Sequence, residues 1–313
     1  MFDEHEYEAG SEPGLGAVMS ERRRLFNLTY RLLGSLADAE DVVQETYVRW
    51  YAMSPQQQQS ITVPGAWLAK VAGRICLDLL GSARMRRERY VGEWIPEPLP
   101  AREECSGGRG GTEIDPADRI TLDESVTMAF LIVLESMTPA ERVAFILHDI
   151  FRYPFAEVAD IVGRSPAACR QLAMSARRRV DVSRTPSAPT AEQTRLVRDF
   201  KQAWEAKDID ALTKLLDPAA TAVADGGGVV NAVVRPIVGN EHIARYLLGF
   251  SSRLTGVTIL ERLVNGCPGL VIRMNRTTTS VVAFDIGGGR ITRVWAVRNP
   301  DKLQKWGTTR GIR

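Results

Sequence analysis

The chain has 313 residues, 44% of them apolar and 25% charged, which is the composition of a soluble globular protein with two or three domains. It contains no run of 18 or more apolar residues and begins with an acidic segment, so the sequence predicts a cytoplasmic protein without a signal peptide or a membrane partner. The four cysteines lie far apart without a histidine at ligand spacing, and no nucleotide fingerprint occurs, so we expect neither a metal site nor a cofactor.

The net charge of +2 conceals two halves of opposite sign. Residues 1–184 hold 22 Lys and Arg against 27 Asp and Glu, a net charge of −5. Residues 185–313 hold 18 against 11, a net charge of +7. Because a basic module tethered to an acidic one meets it at a high effective concentration, we expect the two halves to associate.

Residues 1–20 are predicted to be a disordered tail, and residues 21–93 a helical domain that contains two amphipathic helices. The exposed face of the first helix carries Asp38, Asp41, Gln44 and Glu45. The second helix begins after Pro64 and runs into a basic segment. The basic residues off its apolar stripe and in that segment are Lys70, Arg74, Arg84, Arg86 and Arg87. Trp67 lies on the apolar stripe, which favours a core tryptophan over a stacking platform for a base.

Residues 94–117 are predicted to be a linker. The stretch WIPEPLP contains three prolines and cannot continue a helix. The stretch ECSGGRGGTE that follows is rich in glycine, which is typical of a flexible connection.

Residues 118–182 are predicted to be a second helical domain that ends in a helix-turn-helix. Gly163 permits a tight turn, and Ser165 followed by Pro166 is a helix start. The helix that follows, Pro166–Val182, has one buried stripe and would enter a major groove of DNA. Its remaining surface carries Ala168, Arg170, Gln171, Ser175, Arg177, Arg178 and Arg179.

Residues 183–190 are predicted to be a second linker, and residues 191–313 an α+β domain. Helical patterns at residues 191–206 and 240–252 accompany β-branched runs that are punctuated by glycine. The runs are VVNAVVRPIV, VTILERLV, LVIRMN, TTTSVVAFDI and RITRVWAV. This order predicts helices packed on a curved antiparallel meander.

Several segments are similar to a known family. YRLLGSLADAEDVVQETYVRW and PGAWLAKVAGRICLDLLGSARMRRERY resemble region 2 of the extracytoplasmic-function (ECF) sigma factors, and TPAERVAFILHDIFRYPFAEVADIVGRSPAACRQLAMSARRRV resembles their region 4. The third domain resembles SnoaL-like members of the NTF2-like superfamily. WIPEP, DGGG at residues 225–228 and NPDKL at residues 299–303 resemble the SigJ-like class, which carries such a fused domain.

The resemblance implies a multidomain fold with two all-α sigma domains, a region 2 helical bundle and a region 4 helix-turn-helix, followed by an α+β NTF2-like cone. It implies core RNA polymerase, through its beta-prime clamp and beta flap, and promoter DNA as partners. The acidic face of residues 38–45 would dock on polymerase, although such a face is more often simply solvated. The basic residues of the second helix would contact the −10 element, and the helix-turn-helix the −35 element. There, Arg170 suits guanine and Gln171 suits adenine, whereas Arg177, Arg178 and Arg179 suit phosphates.

For the third domain, the resemblance favours a built-in regulator over an enzyme. Asp225, His242 and Asp285 are the candidates for a general base, but they form no convincing dyad, so we predict no catalytic residue. The domain could still hold a small-molecule ligand. The residues expected at a regulatory interface with the sigma domains are Trp94, Pro96, Asp225, Gly226, Gly227, Asn299, Pro300 and Asp301.

Two alternatives from other classes stay open at this point. One is a ligand-responsive helix-turn-helix repressor that acts without polymerase. The other is a small-molecule cyclase or isomerase that is fused to a DNA-targeting module. The acidic helix beside a basic one favours the sigma factor over the repressor.

Overall fold

The computed structural model describes residues 21–87, 90, 92–100, 126–182, 190–230, 232–233, 235–251 and 256–307. The predicted tail at residues 1–20 and most of both predicted linkers lie outside them. Within the described residues, no helix combines the length and the apolar character that a bilayer span requires.

The described part of the first helical unit, residues 21–87, contains four helices. They are α1 (Arg22–Leu33), α2 (Leu36–Tyr51), α3 (Pro55–Gln59) and α4 (Pro64–Arg87). Gly34 ends α1 in the left-handed conformation with φ of 67°, and Ser35 then caps α2 by accepting a hydrogen bond from the Asp38 amide. α2 buries Ala39, Val42 and Val43, which leaves its acidic residues on the outer face.

The second helical unit contains the predicted helix-turn-helix. Its elements are α5 (Met128–Glu135), α6 (Pro139–Phe145) with a π-helical turn (Ile146–Ile150), α7 (Phe155–Val162) and α8 (Pro166–Val182). Gly163 ends α7 with φ of 70°, as the tight turn requires, and Ser165 Oγ accepts a hydrogen bond from the Ala168 amide at 3.2 Å.

The two helical units share a single hydrophobic core. Leu32, Leu68 and Leu147, which come from both units, are fully buried in the same cluster. At the junction, the Arg142 guanidinium is 3% exposed and donates to the Leu32 carbonyl at 2.9 Å and to Glu135 Oε1 at 2.7 Å. The units therefore pack as one body in this conformation.

The third unit is an α+β domain. Its elements are α9 (Ala191–Glu205), α10 (Ile209–Leu215), β1 (Leu216–Asp225), β2 (Ile237–Val238), α11 (Asn240–Ser251), β3 (Val257–Val264), β4 (Cys267–Met274), β5 (Thr277–Gly287), β6 (Arg290–Val297) and a 3₁₀ helix (Pro300–Trp306). The sheet has the order β2-β1-β6-β5-β4-β3. The predicted fold class, two helical domains followed by an α+β domain, is confirmed.

Two details of the predicted sheet are wrong. Among the described residues of the run VVNAVVRPIV, only Ile237–Val238 forms a strand, and Val229 is 76% exposed. β1 was not predicted, because alanines and Pro218 give it a weak strand signal. β1 also pairs in parallel with β6, whereas β3 to β6 form the expected antiparallel meander.

The two faces of the sheet carry different partners. One face packs against the helices of the α+β domain through residues such as Phe200, Leu212 and Phe284. The opposite face is covered by Ile95 from the segment 92–100, by α5 and by the 3₁₀ helix. The buried residues of this second cluster are Ile95, Met128, Ala129, Val264, Val271, Val281, Ala283, Trp295, Val297, Leu303 and Trp306. This second cluster joins the α+β domain to the helical units.

Candidate nucleic-acid interface and interdomain site

The predicted polymerase-docking residues lie together on α2. Asp38, Asp41, Gln44 and Glu45 are all exposed on the face opposite the buried stripe. Glu45 Oε1 accepts from Arg49 Nε at 2.8 Å, an exposed pair one helical turn apart. The side chains of Asp38, Asp41 and Gln44 are therefore accessible on the surface of α2.

The predicted −10 residues on α4 are in part engaged by the second helical unit. Lys70 Nζ lies 2.9 Å from Asp160 Oδ2, and Arg74 Nη2 donates to the Asp160 carbonyl oxygen at 3.0 Å. Helix α4 continues to Arg87, but the side chains of Arg84, Arg86 and Arg87 lie outside the described part of the chain. Trp67 is half-buried and packs edge-on against Trp50 with ring centroids 5.3 Å apart, in line with the core interpretation.

Part of the predicted −35 surface on α8 is open to solvent. Arg170, Gln171 and Arg178 are exposed, and Ala168 is half-buried. The Arg170 guanidinium lies 5.5 Å from the centroid of the Phe155 ring, which orients it beside the first helix of the motif. Met174 lies on the same face and is 41% exposed. It was not predicted from the sequence, because a methionine carries no polar group that would indicate contact with DNA.

Three other predicted −35 residues turn back onto their own unit. Ser175 Oγ donates to Glu141 Oε1 at 2.7 Å, and Arg177 Nε contacts Asp149 Oδ1 at 2.6 Å. Arg179 Nη1 donates to the Ser136 carbonyl at 2.5 Å. These bonds join α8 to Ser136, to α6 and to the π-helical turn.

The carboxylate of Asp225 lies where the three units meet, at the end of β1, and is completely buried. Its Oδ1 accepts from the Tyr90 hydroxyl at 2.6 Å and from the Gly227 amide at 3.0 Å. Its Oδ2 accepts from the Ile95 amide at 3.0 Å and from Lys302 Nζ at 2.7 Å. A single side chain thus binds the linker segment, the glycine turn and the C-terminal 3₁₀ helix.

Lys302 of the 3₁₀ helix also contacts the linker segment directly. Its ammonium also donates to the Ile95 carbonyl at 2.5 Å and lies 4.1 Å from the centroid of the Trp94 ring. The charged partner of Asp225 is therefore a lysine. Burial, then the hydrogen bond to Asp225, raise the pKa of the Tyr90 phenol, so it stays a donor at neutral pH.

The glycines of the DGGG motif are required by the close approach of this loop to its neighbours. A Cβ on Gly227 would lie 2.5 Å from Asn299 Cγ, and φ of this residue is 68°. A Cβ on Gly226 would lie 2.2 Å from the Val230 carbonyl oxygen. Asn299 in turn donates to the Tyr90 hydroxyl at 3.1 Å, whereas Pro300 and Asp301 are exposed.

A second set of contacts fixes the segment 92–100 to the first helical unit. Glu97 Oε2 accepts from the Leu36 amide at 2.8 Å, at the start of α2, and the Tyr30 hydroxyl donates to the Glu97 carbonyl at 2.7 Å. Burial raises the pKa of Glu97 to about 7. The hydrogen bond from the Leu36 amide and the nearby charges of Lys302 and Lys305 act in the opposite direction and lower it.

The same segment is also bonded to the α+β domain. Asn265 Oδ1 accepts from the Leu99 amide at 3.1 Å, and Asn265 Nδ2 donates to the Tyr30 hydroxyl at 3.2 Å. Trp306 Nε1 donates to the Pro98 carbonyl at 2.9 Å. The WIPEP segment is therefore buried between two units and bonded to both.

Comparison with known proteins identifies the family. The Sigma-70 region 2 model matches residues 17–86, and the Sigma-70, region 4 model matches residues 128–180. The chain is 36% identical over 296 residues to ECF RNA polymerase sigma factor SigJ of Mycobacterium tuberculosis, with 90% of each chain covered. It belongs to the ECF sigma factors.

A second relative and a solved structure each match over 93% of this chain. Probable ECF RNA polymerase sigma factor SigI of Mycobacterium tuberculosis is 35% identical over 294 residues, which covers 93% of this chain and 95% of the relative. The crystal structure of Mycobacterium tuberculosis SigJ has a TM-score of 0.72 and 32% sequence identity, covering 93% and 98% of the two chains. In this ECF sigma factor, α1 to α4 form region 2 and α5 to α8 form region 4.

The three candidate bases of the enzyme alternative are ill suited to that role. Asp225 already accepts four hydrogen bonds, one of them from a lysine, so no lone pair faces a substrate. His242 is exposed and its Nδ1 lies 2.9 Å from the Val238 carbonyl. Asp285 stands directly across from Arg293 in the β5–β6 ladder.

Several residues of the interdomain site were missed by sequence reasoning. They are Tyr30, Tyr90, Glu97, Asn265, Lys302 and Trp306. Asn265 looked like an ordinary hairpin-turn residue, since an Asn-Gly pair joins β3 and β4. Two of them, Glu97 inside WIPEP and Lys302 inside NPDKL, stood within motifs that could have drawn attention to them.

Proposed function

We propose that the α+β domain of this sigma factor is a built-in regulator that acts on the linker between regions 2 and 4. The observation that carries the proposal is the Asp225 site, in which Tyr90 and Ile95 from the linker side and Lys302 from the C-terminal helix bind one buried carboxylate. A domain that holds the linker limits how far regions 2 and 4 can separate. The opposite net charges of the two halves favour the same association.

A truncation after Asn299 tests this proposal. It removes Lys302 and Trp306 and so opens the linker site, while regions 2 and 4 keep their own core. Run-off transcription with sigma-free core RNA polymerase should change at least several-fold relative to the full chain. A truncation after Gly307 keeps the 3₁₀ helix and is the matched control. Equal transcription by both truncations and the full chain would rule out the regulatory role.

The remaining contacts of the initiation complex follow from the surfaces described above. We assign polymerase docking to Asp38, Asp41, Gln44 and Glu45, and −10 contacts to Lys70 and Arg74 with the arginines at the end of α4. The −35 element would be read by Arg170 and Gln171, since both are exposed and point away from the core of region 4. Arg178 is the exposed cation best suited to a phosphate.

Arg170→Ala is expected to relax promoter specificity. Loss of a bidentate base contact removes about 1–3 kcal/mol of discrimination at one base pair, whereas loss of a phosphate contact weakens all sequences alike. The measurement is the affinity of the chain for −35 duplexes with each base substituted in turn. Arg178→Ala is the comparison variant and should lower affinity uniformly. A uniform loss for Arg170→Ala as well would show that Arg170 contacts only the backbone.

A further inference from the structure

The arginines of the recognition helix α8 are held in two different ways. Arg177 and Arg179 donate from their N–H edges to acceptors of region 4. The guanidinium of Arg170 is instead held by its face, since its Cζ lies 5.5 Å from the centroid of the Phe155 ring, at the first position of α7. Among the residues that the structure describes, Arg170 has no hydrogen-bond or ion-pair partner. Its N–H donors therefore remain available to a ligand while the plane of the guanidinium is supported.

The Phe155 ring is itself fixed from the π-helical turn. The His148 imidazole stacks on it with ring centroids 3.7 Å apart and planes inclined by 23°. His148 Nδ1 lies 2.9 Å from the Tyr153 carbonyl oxygen. Because a carbonyl oxygen can only accept, Nδ1 carries the proton, and this bond sets the orientation of the imidazole. Phe155 also packs against the apolar core of the helical units, so its ring has little freedom to turn.

We propose that Phe155, backed by His148, is a positioning residue that presents Arg170 to a base of the −35 element. The inference rests on the base-reading role proposed above for Arg170. An exposed arginine loses rotamer freedom when it binds, and a side chain that is already oriented loses less. Stacking suits this purpose because the guanidinium is planar. One face can lie on a ring while the fork of N–H donors at its edge reaches guanine O6 and N7.

Removal of the aromatic ring provides the first test. Phe155→Leu keeps an apolar side chain without an aromatic face, so discrimination at the base pair read by Arg170 should fall about threefold. Discrimination at the pair read by Gln171 should not change, because the stack acts through Arg170 alone. The two pairs are identified as those at which Arg170→Ala and Gln171→Ala lose discrimination in −35 duplexes with each base substituted in turn.

Phe155→Tyr is the matched control, because it keeps the aromatic face. It should discriminate as the unchanged chain does at both base pairs. An equal loss for the leucine and tyrosine variants would overturn the positioning role, since the ring would then not be its cause. An equal loss at both base pairs for Phe155→Leu would also overturn it, because a general disturbance of region 4 affects every contact alike.

His148→Ala tests the same stack from its other member. The imidazole is only half-buried, so its removal disturbs the core less than a change at Phe155. Discrimination at the pair read by Arg170 should fall about twofold, because the phenyl ring loses its backing. In the Arg170→Ala background neither Phe155→Leu nor His148→Ala should have a further effect on discrimination. Additive losses in that background would overturn the positioning role.

Proton NMR of the full chain gives a readout that does not depend on DNA. The ring current of Phe155 should shift side-chain protons of Arg170 upfield, and Phe155→Leu should abolish the shift. Unshifted Arg170 protons in the unchanged chain would show that the stack does not form in solution and would overturn the proposal.

The positioning role and the base-reading role can fail separately. If Arg170→Ala weakens binding to all duplexes alike, the base-reading role fails and Phe155 positions no reader. If Arg170→Ala relaxes specificity at one base pair while Phe155→Leu and His148→Ala leave discrimination there intact, the base-reading role stands and the positioning role fails.

Discussion

Replacement of Asp225 with alanine is expected to lower the free energy of unfolding of the α+β domain by about 3–5 kcal/mol. The substitution leaves the Lys302 ammonium, which is 10% exposed, without its counter-charge. It also removes the acceptor of the Tyr90 hydroxyl and of the Ile95 amide. A buried charge or donor without a partner carries its full desolvation cost.

The measurement is chemical denaturation followed by circular dichroism, together with protease cleavage of the linker. Adding Lys302→Met to Asp225→Ala removes the ammonium that has lost the Asp225 carboxylate and should recover part of the loss, since apolar replacement of a buried ion pair is often tolerated. A loss below about 1 kcal/mol for Asp225→Ala alone would mean that the site contributes no rigidity.

Trp306→Ala is the second change with a large expected effect, a loss of about 3–5 kcal/mol from the same domain. The indole is 4% exposed in the cluster that joins the sheet to the linker, and its Nε1 binds the Pro98 carbonyl. Its removal leaves a cavity beside Leu303 and an unpaired carbonyl in the WIPEP segment.

Trp306→Phe separates the loss of packing from the loss of the hydrogen bond to the Pro98 carbonyl. It keeps most of the packing and loses only the hydrogen bond, so a loss of about 1 kcal/mol is expected. Both variants should be compared by denaturation and by core-dependent transcription. If alanine and phenylalanine behave alike, the packing of Trp306 is not what holds the linker in place.

Elements with a strong local pattern were predictable from the sequence. Pro166–Val182 is helical over the expected limits, because its cap, its first-turn proline and its apolar stripe all lie within the segment itself. The acidic face of α2 follows from the same 3.6-residue period. By contrast, β1 has little strand character of its own and is fixed by its neighbours β2 and β6.

The candidate site likewise combines features that the local sequence indicates with features that depend on distant residues. The motifs WIPEP, DGGG and NPDKL could be found as segments, but their chemistry could not, since Tyr90 and Asp225 are 135 positions apart in the chain. Similarly, the arginine run of α8 could be counted in the sequence. The bonds of Arg177 to Asp149 and of Arg179 to Ser136 depend on how α8 packs against α6 and the turn that follows it.

The sequence by itself determined the two helical regions, the helix-turn-helix and the family, because helical periodicity, capping and motif order are properties of neighbouring residues. Only the tertiary structure decided which cations are engaged, where the linker is buried, and that α4 rests on α7. Those outcomes depend on contacts between distant segments, whose choice of partner is set by the shared apolar cores and by the need to satisfy each buried polar group.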